Sequence, residues 1–359
     1  MKYFLIILFP LLSWGQRLEK LASDLVIPWG LAFLDSDQIL LTERTGQIKV
    51  FNIKTRTAQA VQNGRIQVVA YGQGGLLDIA LHPDFKNTGQ IFFTYSKAMP
   101  DEKSTTALAT AQLSRKKDQW NLSGMRDLFV AEPALSRSYL HYGSRIVVTD
   151  SEIWMTVGER NERKHAQDLS NHLGKVLRLN HEGEALADNP FFGKSGVKPE
   201  IWSYGHRNPQ GLLKHPVTGE IWEHEHGPRG GDEINLIKRG ANYGWPLVTF
   251  GKEYSGGTIS DSPFREGIEA PRYQYTPSIA PCGFAFYQGT KIPSFENSFL
   301  LGALALTHLS RVTLGKDSTL QRDKRFFDEE SPRIREVEVG PDQLLYFSTD
   351  AGEIWRVRP

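Results

Sequence analysis

One pattern returns six times along this chain. A glycine or an equivalent residue opens an apolar strand, a turn with Asp or Pro follows, and a second apolar strand comes next. Residues 30–33 lead into 38–41, 75–84 into 91–95, 143–148 into 153–157, 211–216 into 221–222, 283–286 into 298–301, and 337–342 into 344–347. Three copies continue into a third strand that also opens on glycine, at 46–50, 174–179 and 352–357. The copies begin roughly 45 to 72 residues apart, a spacing that signals propellers or arrays. Four strands per copy would fill it. The sequence therefore predicts an all-β fold, a six-bladed β-propeller with four-stranded antiparallel blades around a central channel, closed so that no sheet edge stays open. An open pair of sandwiches would leave six copies unexplained.

Composition agrees where it bears on the matter. The 33 Gly and 19 Pro, with 8 Trp, 12 Tyr and 19 Phe, suit a turn-rich β protein. A net charge of +1 argues against nucleic acid or an anionic membrane as partner. One early Lys and a short apolar run in the first 12 residues read as a signal peptide over 1–16, cut near Gly15-Gln16, with the propeller in 17–359. The expectation is a periplasmic or secreted protein with no membrane span in the mature chain. The sole cysteine, Cys282, allows no internal disulfide, so stability rests on the core or on bound metal.

The second strand of most copies ends in a polar cluster: Thr42-Glu43-Arg44, Thr94-Tyr95, Gly158-Glu159-Arg160, Glu225-His226-Gly227 and Thr349-Asp350. In a propeller, equivalent strand ends point to one face, which is where a site is expected. Two turn-rich segments, 205–211 and 225–233, stand out there. Gly and Pro at that density leave carbonyls outside any ladder, and beside Asp232 and Glu233 such carbonyls suit a hard cation like calcium. Arg207 and Asn208, followed by Pro209, are donors for an oxyanion or a carboxylate. The other reading of both segments is decorated surface loop.

His141, just before an inner strand, is a candidate proton acceptor. Gln73 sits in the matching position one blade earlier, flanked by glycines, and Glu159 could orient His141 or accept a sugar hydroxyl. Arg333 and Arg335, two apart on a strand, share a face and suit a polycarboxylate. His224 and His226 lack a nearby Cys or third His for a transition metal. No Gly-rich nucleotide loop and no G-x-S-x-G elbow are present in the sequence.

The segments Gly72-Gln73-Gly74-Gly75-Leu76-Leu77-Asp78, Tyr204-Gly205-His206-Arg207-Asn208-Pro209-Gln210-Gly211, Glu225-His226-Gly227-Pro228-Arg229-Gly230-Gly231-Asp232-Glu233 and Asn242-Tyr243-Gly244-Trp245-Pro246 resemble the soluble pyrroloquinoline quinone (PQQ)-dependent aldose sugar dehydrogenases. The resemblance spans nearly the whole mature chain and implies a six-bladed propeller. It implies His141 as general base and Arg207 as the group that stabilises the quinone oxygen. Asn208 and Gln73 then contact cofactor and substrate, and the Gly227 and Pro228 carbonyls hold a calcium beside PQQ. Glu233 and Tyr243 resemble a second calcium site. Tyr254, Arg333 and Arg335 match PQQ-binding positions, as does the segment carrying Ala303 and Ala305.

Three departures are visible: Leu140 stands where the glucose enzymes have Asp, Glu159 where they have Asp, and Ala305 where the family usually has Lys. The implied reaction oxidises an aldose to a lactone, with an unknown electron acceptor, in a monomer or homodimer. A calcium-dependent lactone hydrolase and a non-catalytic carbohydrate- or protein-binding propeller are the alternatives.

Overall fold

A computed structural model of the protein describes residues 16–315, 317–321 and 323–359. The leader expected over 1–16 falls almost wholly outside them. Each repeat forms a blade of antiparallel strands, four in each of the first five. The third, for instance, runs from Ile146–Val148 through Ile153–Val157 and Lys175–Leu179 to Ile201–Tyr204, from the axis outward. The six inner strands are Pro28–Phe33, Leu76–Leu81, Ile146–Val148, Pro209–Lys214, Pro281–Tyr287 and Ile334–Val339. Each packs against the next, and the sixth packs back on the first, so the ring is closed.

The sixth repeat supplies only three strands. The fourth comes from the other end of the chain, where Arg17–Ala22 pairs antiparallel with Ile354–Arg358, Leu18 opposite Val357 and Lys20 opposite Trp355. Lys20 also lies 4.7 Å over the Trp355 ring, and Glu19 takes both Arg356 and Arg358. These exposed ion pairs add little; the strand ladder joins the ends. The outer strands of the first two blades touch at one parallel bridge, Gln62 with Asn121.

The apolar core lies between facing blades. Leu40, Val50, Ile79 and Phe93 fill the first such layer, and Phe92, Leu108, Met155 and Leu177 fill the next. Among the described residues, helix is confined to one four-residue turn, Phe85–Thr88, and two short 3-10 turns. No helix among the described residues is long and apolar enough to cross a membrane.

Two features position the site. In five blades the inner strand slips register within its first residues, between Pro28 and Leu31, Leu76 and Ile79, Pro209 and Gly211, Cys282 and Phe284, and Ile334 and Glu336. Bulges at a rim re-aim side chains, and Trp29, Gln210 and Arg335, all inside these bulges, line a cavity at the axis. The second feature is Arg145, buried at the channel centre. It donates to the carbonyls of Gln210 (2.8 Å) and Arg335 (3.0 Å), to Cys282 Sγ (3.3 Å) and to Glu336. It stands 3.6 Å from Asp78 and lies 4.0 Å from the Trp29 ring centre. One guanidinium thus reaches the five other blades from the third. It also separates two hollows, one of about 370 Å³ on the face of the strand-end clusters and one of about 440 Å³ opposite.

Candidate active site

The cavity of about 370 Å³ opens where the second strands end, the face expected from the sequence. Gln73, Asn208, Arg333 and Arg335 line it together, with Arg44 and Asp350 beside them. Arg333, just before the last inner strand, and Arg335 within it both grip Asp350. Arg333 donates from Nε (2.6 Å), and Arg335 donates from Nε (2.8 Å) and Nη2 (2.9 Å). Three guanidinium groups here face one carboxylate, so the cavity favours an anion.

His141 lies outside this lining and is tied to it through Gln73; its backbone is left-handed (φ 51°) and its ring is buried. Its N–H donates to Gln73 Oε1 (2.8 Å), and its Nδ1 pairs with Glu159 Oε1 (2.9 Å). Gly158 makes this approach possible, because a Cβ there would sit 2.1 Å from the His141 carbonyl oxygen. With a carboxylate at Nδ1, that nitrogen carries the proton and Nε2 presents its lone pair. Nε2 makes no hydrogen bond among the described residues. Burial pushes the imidazole below its usual range, Glu159 opposes that, and Arg207 adds to the lowering. A neutral histidine oriented by a carboxylate is fitted to accept a proton.

Arg207 is the next element. Its backbone N–H donates to Glu225, and its Nη1 donates to the carbonyls of Gly227 (2.8 Å) and His226 (3.2 Å). Its Nε is buried without a partner among the described residues. The 227–231 loop curls so tightly that a Cβ on Gly227 would lie 2.3 Å and 2.4 Å from the carbonyl oxygens of Gly231 and Gly230. Asp232 braces it, accepting from the N–H groups of Gly227 (2.9 Å), Ile279 (2.8 Å) and Ala280 (2.9 Å) and from Ser278. Burial pushes Asp232 up to about 6 against those bonds. The Gly227 and Pro228 carbonyls are thus carried on a rigid turn beside Arg207. The Nε2 atoms of His224 and His226 each meet a carbonyl, of Gly283 (3.0 Å) and Pro281 (2.8 Å) respectively, and neither residue joins a group of three potential metal ligands among the described residues.

Behind this turn lies a denser group. Glu233 and Tyr243 do meet at one small pocket, with Glu225. The Tyr243 hydroxyl, however, is taken by the Leu236 carbonyl (2.6 Å) and the Lys238 N–H (2.8 Å), which leaves its backbone carbonyl as the atom to offer. The ligand atoms of His206, Glu223 and Glu225 lie within 4.8 Å of one another. Glu223 Oε1 and Asn235 Oδ1 are buried and unpartnered among the described residues. Burial, and then the nearby charge of Glu225, raise Glu223 and Glu233 well above the usual carboxylate range. So many buried carboxylates need a cation or protons. Sequence reasoning missed Glu223, Glu225, Asn235 and His206. The available signal was alternation: Glu223 and Glu225 share a strand face and stand opposite Asn235 and Glu233.

His141, Glu159 and Arg207 are not among the lining residues of this cavity, and three expected cofactor contacts lie off it as well. Tyr254 is 71% exposed on its loop. Ala303 is wholly buried in the ladder opposite Pro281. Ala305 bonds through its N–H to Ile279 (2.9 Å), while the neighbouring Leu304 lines the cavity and its carbonyl receives Arg333. Arg44 and Asp350, conversely, entered the sequence reading only as members of polar strand ends.

A closed six-bladed ring with an arginine-rich axial cavity, and a carboxylate-held histidine bonded to that cavity's Gln73, fits a propeller-type oxidoreductase. The chain belongs to the Glucose / Sorbosone dehydrogenase family, whose model matches residues 25–356. It is similar to the aldose sugar dehydrogenase YliI of Escherichia coli (strain K12), with 39% identity over 349 residues, 96% of this chain and 93% of that protein. Among solved structures, the apo form of the soluble aldose sugar dehydrogenase from Escherichia coli matches with a TM-score of 0.92 and 39% identity, over 96% of this chain and 100% of that one. The PQQ-bound aldose sugar dehydrogenase of Streptomyces coelicolor matches with a TM-score of 0.79 and 26% identity, over 96% and 98% of the two chains.

Proposed function

We propose that this chain oxidises aldose sugars at the anomeric carbon to lactones, with PQQ and calcium as its cofactors. The observation that carries the reading is a Glu159-held His141 bonded to Gln73, a lining residue of the cavity where three guanidinium groups face one carboxylate. A flat tricarboxylate fits a hollow of about 370 Å³ with that charge imbalance. Arg207 Nε and Glu159 Oε2, buried without partners among the described residues, would find theirs in the loaded site. The PQQ-bound relative supports the cofactor, and YliI supports the sugar class.

When bound, the quinone supplies the acceptor for a hydride, and calcium polarises its carbonyl. The chain does the rest. His141 Nε2 takes the proton of the anomeric hydroxyl, and Glu159 holds the opposite ring nitrogen and stabilises the charge the imidazole gains. Arg207 supplies hydrogen-bond donors for the oxygen on which negative charge grows. The Gly227 and Pro228 carbonyls would hold the calcium, hard oxygen ligands for a hard ion, on the turn that Asp232 fixes. Glu233, with Glu223, Glu225, Asn235 and the Tyr243 carbonyl, would hold a second. Arg333, Arg335, Gln73 and Asn208 hold the cofactor. The reading includes export to the periplasm or medium, a monomer or homodimer, and an electron acceptor of unknown identity.

Titrating the purified protein with PQQ and calcium, then adding aldoses with an artificial electron acceptor, tests this directly. Sugar-dependent absorbance of the reduced quinone, abolished by chelation and restored by calcium, is the expected result. No PQQ binding, or full activity in metal-free protein, would overturn it.

A further inference from the structure

Arg44 ends the second strand of the first blade, far in sequence from Arg333 and Arg335, yet it lines the same cavity. Its backbone is pinned, the N–H donating to the Ile27 carbonyl (3.1 Å) and the carbonyl receiving the Leu76 N–H (3.0 Å). Its Nη1 donates to the Gly72 carbonyl, its only side-chain hydrogen bond among the described residues. It forms no ion pair among them. The nearby carboxylate, Asp350, is already gripped by both other arginines. Besides burial, which pushes the Arg44 guanidinium below its usual range, the charges acting on it are Arg335, which adds to the lowering, and Asp350, which opposes it. A half-buried guanidinium lining the same cavity as two others, with the nearby carboxylate already occupied by those two, is an arrangement that an incoming anion relieves. The alanine at 305 adds no charge to this balance.

We propose that Arg44 is an anion-binding residue of the cofactor cavity, the third member of an arginine cradle that takes a carboxylate of PQQ and selects a tricarboxylate over less charged quinones. This rests on the function proposed above. The cradle draws on the first and last blades, so it exists only in the closed ring.

The test uses apo protein in saturating calcium, titrated with PQQ and, separately, with its uncharged trimethyl ester, and followed by tryptophan fluorescence or calorimetry. Arg44→Gln weakens PQQ binding by about 10- to 100-fold, the usual worth of a charge-assisted hydrogen bond. Its affinity for the triester stays at the wild-type value. Arg44→Lys, which keeps the charge but not the fork, falls between. The salt dependence of PQQ binding is shallower in Arg44→Gln than in wild type. Wild-type protein that fails to bind PQQ removes the functional reading beneath the proposal. Wild-type binding with an unchanged Arg44→Gln affinity overturns the role of Arg44 alone. Equal losses for PQQ and the triester would assign Arg44 to holding the Gly72 loop, and would overturn it too.

Discussion

Replacing Arg145 by methionine keeps the length of an unbranched side chain at the axis and removes its charge and all five donors. In the wild type, burial works against the guanidinium, but Glu336, Cys282 and Asp78 more than compensate and hold it firmly charged. The variant leaves Asp78 and Glu336 buried with no counter-charge, and Gln210 and Arg335 lose a donor to their carbonyls. Breaking a buried pair by removing one partner costs about 3–5 kcal/mol. With an unfolding entropy of about 2.1 cal/mol/K per residue, a chain of this length loses roughly 4–7 °C in Tm.

The loss depends on pH in a stated direction. Burial already pushes Glu336 up to about 7 and raises Asp78. Both pKa values are raised in the folded state, so their contribution is fully present below the unfolded value near 4 and is lost as pH rises through the folded one. Removing Arg145 lifts them further, so the defect is largest at pH 8 and shrinks toward pH 5. Calorimetry and urea melts at both pH values measure it, and adding Glu336→Gln to Arg145→Met should recover part of the loss at pH 8. A loss under about 1 kcal/mol at pH 8, or one that grows on acidification, would refute the view of Arg145 as an essential counter-charge.

Two further outcomes are expected. His141→Asn should bind PQQ and calcium as wild type does yet lose about 10²–10⁴ in turnover. Because burial lowers the His141 imidazole, the acid limb of the wild-type rate should fall below pH 6.5, and stopped-flow rates across pH 5–8 check both points. Asp232→Asn keeps one acceptor oxygen and turns the other into an NH2 that opposes either the Gly227 N–H or the Ile279 and Ala280 N–H groups. It should lower stability by about 1.5–3 kcal/mol and weaken calcium binding, read from urea midpoints and calcium titration.

The blade count was legible because each copy opens on a glycine or an equivalent residue and an apolar run, a local signal that needs no partner. His141, Glu159, Gln73, Arg207 and Asn208 were legible for a similar reason: equivalent ends of equivalent strands share a face. What escaped the sequence is non-local. Arg145 follows Gly143-Ser144 and reads as a strand opening; its importance lies in Trp29, Asp78, Gln210, Cys282 and Glu336, one or more from every other blade. Asp350 reads as a polar turn until the register brings Arg333 and Arg335 onto it. The strand Arg17–Ala22 has an unremarkable pattern, and nothing near it in sequence says that its partner lies at the far end of the chain.

That last pairing has a consequence for how the molecule could be rewired. Glu19 and Arg358 are 339 positions apart in sequence and in contact in space. By the logarithmic law of loop closure, joining ends so distant costs only about 2 kcal/mol more than joining ends about 40 residues apart. The strands Arg17–Ala22 and Ile354–Arg358 are thus neighbours on one blade, and the point at which the ring is cut is a matter of genetic order rather than of geometry. A circular permutant that links 358 to 17 through a short bridge and opens in an exposed turn between two other blades would build the clasped blade from contiguous sequence. It would convert the most distant contact in the protein into a hairpin.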